Sequence, residues 1–431
     1  MKTFAHDPFV KIAHKSIAYI LVFCVVNMPV WALDWNQGTN ANFTNGDTVN
    51  VTALRSVIEW NNFDTAPGQL LQFLAGGGAL TADHAVLNKV INGNITQFDG
   101  ILQGGQGHIL LINPAGIMIG STATINAGRF TASTMHLQMS DTDFLAGASN
   151  FEFAKDSDDP AAQISLLAGS SVTAERVDLL AQQINNAGTI TTETGGIVVM
   201  AAGDRVLLGE AGSDVIVEMT GIENGMVTND GTIKSAEGTI VMAAGDIFST
   251  SLGMKVFNGA GKIVQNGTLD VNAENATAVT GNGGTIEMLA GEDVTLAAGS
   301  VTTANAIPDD ATNRYDGGDI IIESTETVNI SLGAFLYAKG NGWDDVDENF
   351  RFDFGVDTSF SGSIQIFAKN LNLPTSDVFA SQIDLLGYNE GPLQQLQSGF
   401  LTIGNNEGDM IVAEGPLPGT SADNTIYEEW I

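Results

Sequence analysis

The sequence predicts an all-β protein, a right-handed parallel β-helix with an amino-terminal cap. Three observations carry that reading. Strand-like segments recur: GGIVVMAAGDRVLL (195–208), EGTIVMAAGDIFST (237–250) and GGTIEMLAGEDVTL (283–296) align on Met200, Met242 and Met288, 42 and 46 residues apart. Between them fall turn-then-strand signals, NNAGTI (185–190), NDGTI (229–233) and QNGTL (265–269). No segment sustains a capped 3.6-residue apolar period, so long helices are not expected. Each long repeat reads as two units of about 20–25 residues, the size of one solenoid coil. One coil cannot bury its apolar face, whereas stacked coils place Ile, Val, Leu and Met above one another. Ile197, Ile240 and Ile286 are expected to share that core. Gly and Asn suit the corners, where stacked Asn forms ladders. An array of antiparallel sandwiches is the alternative, disfavoured by the coil-sized spacing.

The elements follow in order. Lys11 and Lys15, the apolar run Ile17–Val26 and the box Val30-Trp31-Ala32 read as a secretory signal peptide over residues 1–32. The run is about half of the roughly 20 residues a spanning helix needs. The single Cys, Cys24, lies within it, which leaves no disulfide for residues 33–431. Residues 33–150 read as one unit, with Trp60 and Phe63 in an amphipathic start that serves as the cap. Residues 151–414 carry the repeats, with weaker copies at ISLLAGSSVT (164–173), GGDIIIESTETVNI (317–330) and SGSIQIFAKNLNL (361–373). Two segments, near 304–317 and 341–362, break the pattern and read as loops leaving the solenoid, where specificity often resides. Residues 415–431 form a polar tail.

Charge limits the partners. Sixteen Lys+Arg stand against 50 Asp+Glu, a formal net charge of −34. Nucleic-acid binding needs a basic footprint that this chain lacks, and anionic membranes would repel it. With 44% apolar residues and 50 glycines, the composition is that of short strands and tight turns rather than of disorder.

Chemistry-bearing groups are sparse. Asp344, Asp345, Asp347, Glu348 and Asp353 form the densest acidic run, but the spacing matches no calcium loop and reads as a solvated segment. Asp204, Asp246 and Asp293 recur because the repeat recurs, at turn-like positions. His84, His108 and His136 are isolated, without metal-ligand spacing. No phosphate loop or nucleophile elbow is present. Tyr337 and Trp343 could stack on sugars, although local packing explains them as well. The chain reads as no enzyme and as needing no cofactor or metal. A β-helix enzyme acting on polysaccharide is the alternative, and it would need three or more converging acids.

The most specific stretch is LLINPAGIMIG (110–120). Asn113, Pro114 and Gly116 are β-turn choices, and Ala115 at the third position favours type I over type II. The Asn113 side chain is expected to accept from the backbone N–H two residues on, worth about 1 kcal/mol. With VIEWNNFDTAPGQLLQFL (57–74), VLNKVINGNITQFDGIL (86–102) and FTAST (130–134), this order and spacing resembles the amino-terminal domain of two-partner secretion exoproteins, the filamentous haemagglutinin-type family. The family usually has Asn where Ala115 stands. A second Asn-Pro turn is replaced by GGGALTADH (76–84), as in the adhesin/haemolysin branch.

The resemblance implies an exoprotein that crosses the periplasm and is exported by an outer-membrane β-barrel transporter with periplasmic domains. It implies a secreted or bacterial cell-surface location and an adhesin-like end use toward a host-cell, surface or glycan receptor. Within residues 33–150, Asn88, Asn113, Pro114, Ala115, Gly116 and Ile117, with the strand around Ile95–Leu102, are the candidates for transporter recognition. An autotransporter-like passenger is disfavoured, because GTSADNTIYEEWI is too short and polar for a barrel.

Overall fold

The computed structural model describes residues 33–372 except 149–150, 157–160, 209–214, 221–224, 251–252, 258–259, 275–279, 308–314, 332–333, 339–362 and 369, and beyond them the strands Leu396–Ser398, Phe400–Gly404 and Met410–Glu414. The expected signal peptide, the acidic run at 344–353, Trp343 and the polar tail lie outside the described residues.

Short strands climb in three parallel stacks. The first face runs from Thr48–Val51 through Leu70–Ala75, Ile101–Gln103 and Thr124–Asn126 up to Phe335–Ala338. The second runs from Arg55–Phe63 through Ala85–Val90, His108–Ile112 and Arg129–Ser133 up to Ser363–Phe367 and Phe400–Gly404. The third runs from Thr96–Phe98 through Ile117–Ile119 and Gln163–Leu166 up to Asn370–Asn372. This is a parallel β-helix. Strand alternation turns every second residue inward, and equivalent residues of successive coils form columns. Val198, Ile240, Ile286, Ile320 and Ile364 are one column of the core, and Met200, Met242, Met288, Ile322 and Ile366 another.

The corners explain the turn signals. Asn186 donates to Asn229 at 2.8 Å, and Asn229 donates to Gln265 at 2.9 Å, a buried amide ladder. Two residues on, Gly188, Gly231 and Gly267 stack so closely that a Cβ on Gly231 would lie 2.1 Å from the Gly188 carbonyl oxygen.

Three expectations are corrected. The long repeat is one coil and not two, because Met200, Met242 and Met288 are direct lateral neighbours. The surplus length lies in excursions after the second face, at 203–225 and 245–261, and at the corner 271–284. The segment 164–173 belongs to the third and first faces rather than the second, since Ile164 pairs with Ile117 and Ile184. Ile240 and Ile286 share the core, but Ile197 pairs with Thr239 and faces outward; Val198 takes the inward place.

The excursions build an outer layer that the repeat does not announce. His136–Leu137, Glu152–Ala154, Arg205–Leu208, Val215–Thr220, Asp246–Thr250 and Gly253–Phe257 form an antiparallel sheet outside the second face. A five-residue helix, α1 (Asp141–Leu145), joins it, with Ser140 Oγ capping the Asp143 N–H at 3.1 Å. Met135, Phe144, Phe153, Val206 and Leu208 pack on Leu110, Leu180, Val199, Val241 and Leu289. From His108–Ile112 to Thr285–Ala290 the second face is therefore buried on both sides, which accounts for runs such as HILLI that are apolar at both parities, whereas Asp319–Ser324 above it alternates.

At the start, Leu33–Thr39 pairs antiparallel with Arg55–Phe63, and Ala41–Thr44 with Thr48–Val51, covering the first edges. At the far end, Met410–Glu414 pairs antiparallel with Phe400–Gly404. Of the two segments expected to leave the solenoid, residues 308–314 and all of 341–362 lie outside the described residues.

Phe153 tests the outer layer. Phe153→Ala should cost about 3–5 kcal/mol. Hydrogen exchange should rise first in Arg205–Leu208, with Thr239–Ala244 still protected. Uniform loss of protection would mean that the two layers form one cooperative unit.

Candidate functional site

The turn at 113–116 is built as the sequence suggests and bound more deeply. The Gly116 N–H donates to the Asn113 carbonyl at 3.0 Å, closing the turn. The Ala115 N–H donates to Asn113 Oδ1 at 3.0 Å. Ala115 keeps a negative φ, which rules out type II, while Gly116 has φ +126°. Asn113 Nδ2 donates to the Asn94 carbonyl at 2.8 Å and to Thr96 Oγ1 at 2.9 Å in the preceding coil. The Thr96 N–H donates to the Gly116 carbonyl at 3.0 Å. Asn113 is 0% exposed. Its amide joins two coils, so its loss leaves several inward groups unpaired. The expected 1 kcal/mol is therefore too small, and about 2–3 kcal/mol is the better figure.

Ile117 points into the core, while Pro114 and Ala115 are half-buried at the surface. The stretch around Ile95–Leu102 is two strands, Thr96–Phe98 and Ile101–Gln103, meeting at a corner. Gly100 fills that corner, and its N–H donates to Thr65 Oγ1 at 2.8 Å.

Asn88, Trp60 and Phe63 form the inner end of the first coils. Asn88 is fully buried; its Oδ1 accepts from Trp60 Nε1 at 3.0 Å, and its Nδ2 donates to the Leu110 carbonyl at 3.1 Å. Trp60 meets Trp35, Phe43 and Phe63 edge-on at 5.3, 5.3 and 5.1 Å between ring centroids, and Phe63 stacks on Phe98. These rings close the end of the solenoid with apolar bulk, while Asn88 satisfies the one polar atom the Trp60 indole carries.

One cluster was missed in the sequence. On the outer side of the second face, Asp178 is fully buried between Arg129, at 2.7 Å, and Arg176, at 2.8 Å. Thr131 Oγ1 donates to Asp178 Oδ2 at 3.0 Å and lies 2.9 Å from His108 Nε2. The single hydroxyl proton of Thr131 goes to Asp178, so the imidazole donates from Nε2. Phe151 roofs the group, with its ring centroid 5.4 Å from that of His108 and 5.5 Å from the Arg129 guanidinium. The stack sets His108, Arg129 and Arg176 in one column and Thr131 and Asp178 in another. Burial alone would raise the Asp178 pKa, but the two arginines outweigh it and hold the carboxyl far below its ordinary range. Burial first, then Arg129, push His108 well below its ordinary value of 6.5. The only sequence signal was three basic residues, His108, Arg129 and Arg176, at coil spacing in a base-poor chain.

A family model of the TPS secretion domain matches residues 34–322. The chain belongs to this two-partner secretion family. The crystal structure of the HMW1 secretion domain from Haemophilus influenzae is similar in fold, with a TM-score of 0.50 at 20% identity over 80% of this chain and 97% of that one. A sequence search of the curated proteins returns no match. The secretion-domain match extends past residue 150, and strands on either side of that position stack directly, as Arg129–Ser133 does on Ser171–Ala181.

The remaining candidates disperse over this secretion domain. Asp204 accepts from Gln182 at 3.0 Å, Asp293 pairs with Lys262 at 3.1 Å, and Asp246 opens a strand of the outer sheet. Asp204 and Asp293 thus hold separate partners. No group of three His, Cys, Asp or Glu fit to hold a metal occurs among the described residues. His84 bonds Thr81, and His136 lies 3.6 Å from Asp156. Tyr337 stacks against Phe335 on its own strand.

Three outcomes follow from this geometry. Unfolded His108 titrates near 6.5, whereas the folded ring stays neutral to much lower pH. Its stabilising contribution is therefore complete above 6.5 and lost as pH falls below it, by up to about 1.4 kcal/mol per pH unit. Asp178, with its folded pKa depressed, adds stability above about 3.9 that fades only in stronger acid. Melting followed from pH 7.5 to 5 should show a decline that His108→Gln flattens. At neutral pH, Asp178→Asn should cost about 3–5 kcal/mol by stranding two buried guanidinium groups. At the turn, Gly116→Val should lower the melting temperature more than Ala115→Asn, because only the former forces a β-branched residue to positive φ.

Proposed function

We propose that this exoprotein reaches its transporter by way of the periplasm after cleavage of the signal peptide following Ala32, and that the export-directing residues lie within residues 33–150. The transporter is read as an outer-membrane β-barrel with periplasmic domains. The single observation that supports the reading is the secretion-domain match, which begins at residue 34 and takes in the turn at 113–116. Asn88, Asn113, Pro114, Ala115, Gly116 and Ile117 are assigned to shaping the recognised coils, with Trp60 and Phe63 as the cap. No nucleotide is available outside the inner membrane. Stacking supplies a driving force instead, because each emerging coil adds hydrogen bonds and buried apolar area to a finished template. The end use is read as adhesion at the bacterial surface, without catalysis.

Expressed with its transporter, the full chain should appear in the medium, and without it the chain should stay in the periplasm. Release in both cases would overturn the export reading. The segment 1–150 should also be released by the transporter; its retention while the full chain is released would move the address beyond residue 150.

A further inference from the structure

We infer that the outward side of the first face is a binding surface for an extended, uncharged polysaccharide. The inference deepens the adhesion reading above and rests on it. Thr124, Ser171, Thr189, Thr232 and Thr268 are direct lateral neighbours in five consecutive coils. The residue that follows each of them, from Ile125 to Leu269, lies in the core, so all five point outward. They form one column of hydroxyls, set about 4.8 Å apart and about 19 Å long. Asn126, Thr173 and Thr191, two residues further along their strands, form a second column about 7 Å to the side.

These hydroxyls have no work inside the protein. Among the described residues, none of the seven in the two columns has a hydrogen-bond partner. Elsewhere in the stack the Thr131 hydroxyl binds Asp178, and the Thr303 hydroxyl accepts from Asn272. A hydroxyl both donates and accepts, so a row of them suits a ligand whose own groups do the same at a regular repeat. An extended glycan is such a ligand. Two coils above Thr268 the first column reaches Phe335, whose half-buried ring stacks with Tyr337 at 6.1 Å between centroids. Aromatic rings lying on a sheet offer the flat apolar area on which the C–H face of a sugar ring packs. The sheet is rigid, so docking on it costs little conformational entropy on the protein side.

Charge decides between occupants. From Leu70 to Phe335 the first column holds no charged residue, in a chain of net −34. The second column carries Lys234 and Asp270 at its upper end, and both are engaged: Lys234 pairs with Glu274, and Asp270 Oδ1 accepts from the Asn272 N–H at 3.0 Å. A neutral polymer therefore meets this face without desolvating carboxylates. The acidic remainder of the chain repels anionic polymers, and it repels a second copy of equal charge. A peptide cannot add a strand here, because these strands are already paired on both edges. The columns exist only once the coils have stacked, which places binding after export.

The test uses the full chain, purified in its folded state. Three neutral, insoluble probes are offered, namely microcrystalline cellulose, curdlan and xylan, with polygalacturonate as the anionic comparison. At least one neutral probe should carry the chain down on sedimentation, and polygalacturonate should not. Added salt should leave binding to the neutral probe unchanged. Thr189→Val combined with Thr232→Val removes two hydroxyls from the middle of the column and keeps its shape. Binding should weaken about tenfold, with the melting temperature within a few degrees of wild type because valine suits an exposed strand. Thr228→Val combined with Thr295→Val removes two outward hydroxyls from the third face and should leave binding unchanged. The proposal is overturned if no neutral probe binds, if polygalacturonate binds as well as the neutral probe, or if the first-face variant binds like wild type. Equal loss in the third-face variant would overturn it too. A wild-type dimer dissolved by the first-face replacements, with no probe bound, would give the face to a second copy and sink the proposal as well. The adhesion reading stands or falls by a separate result: it fails if cells producing the wild-type chain adhere no better than cells without it.

Discussion

Lateral hydrogen bonding between successive coils, in strict register, is the constraint on which the other features depend. Each strand is only three to six residues long over much of the stack, too short to stand alone. Pairing on both edges fixes which residues turn inward. A slip of one residue would turn Met242 and Ile240 out and bring Thr239 and Val241 in. The glycine column at 188, 231 and 267 and the amide ladder beside it resist that slip at a corner, because each works only when equivalent residues lie directly above one another.

The stack has ends and flanks, and the chain covers them by different means. The first coils are closed by antiparallel strands and a knot of aromatic rings around Trp60. The flank of the second face is covered by the outer sheet and α1 as far as Thr285–Ala290, so over those coils it is a middle layer and not a surface. The buried Arg129–Asp178–Arg176 group lies beneath that layer at the roof formed by Phe151. Two guanidinium groups meet one carboxylate there, held by the register of three coils and covered by the Phe151 ring.

The turn at 113–116 shows how a short motif acts through the fold. Its polar groups all face inward and bind the coil before it. Its apolar residues face outward beside Ile95. A residue type typical of a turn therefore shapes the coil before it while keeping its own polar groups from the surface.

Much of this was legible in the sequence, for physical reasons. Coil-length recurrence and Asn and Gly at the corners determined a parallel β-helix, since that spacing and those residues suit stacked strands. The order of motifs over residues 57–134 determined the family, and Asn-Pro-Ala-Gly determined the form of its turn. What the sequence left undecided is what depends on contacts between distant segments. Whether the 42-residue spacing was one coil or two could not be read from spacing, because an excursion and a second coil use the same turn and strand residues. Ile197 was placed inward because apolar runs at both parities do not declare which side is the core; the outer sheet decides that by burying the other side. His108 looked isolated until stacking set Arg129, Thr131, Arg176 and Asp178 beside it, residues up to 70 positions away in the chain. Local residue chemistry fixed the architecture, and the tertiary stack alone decided which side chains meet.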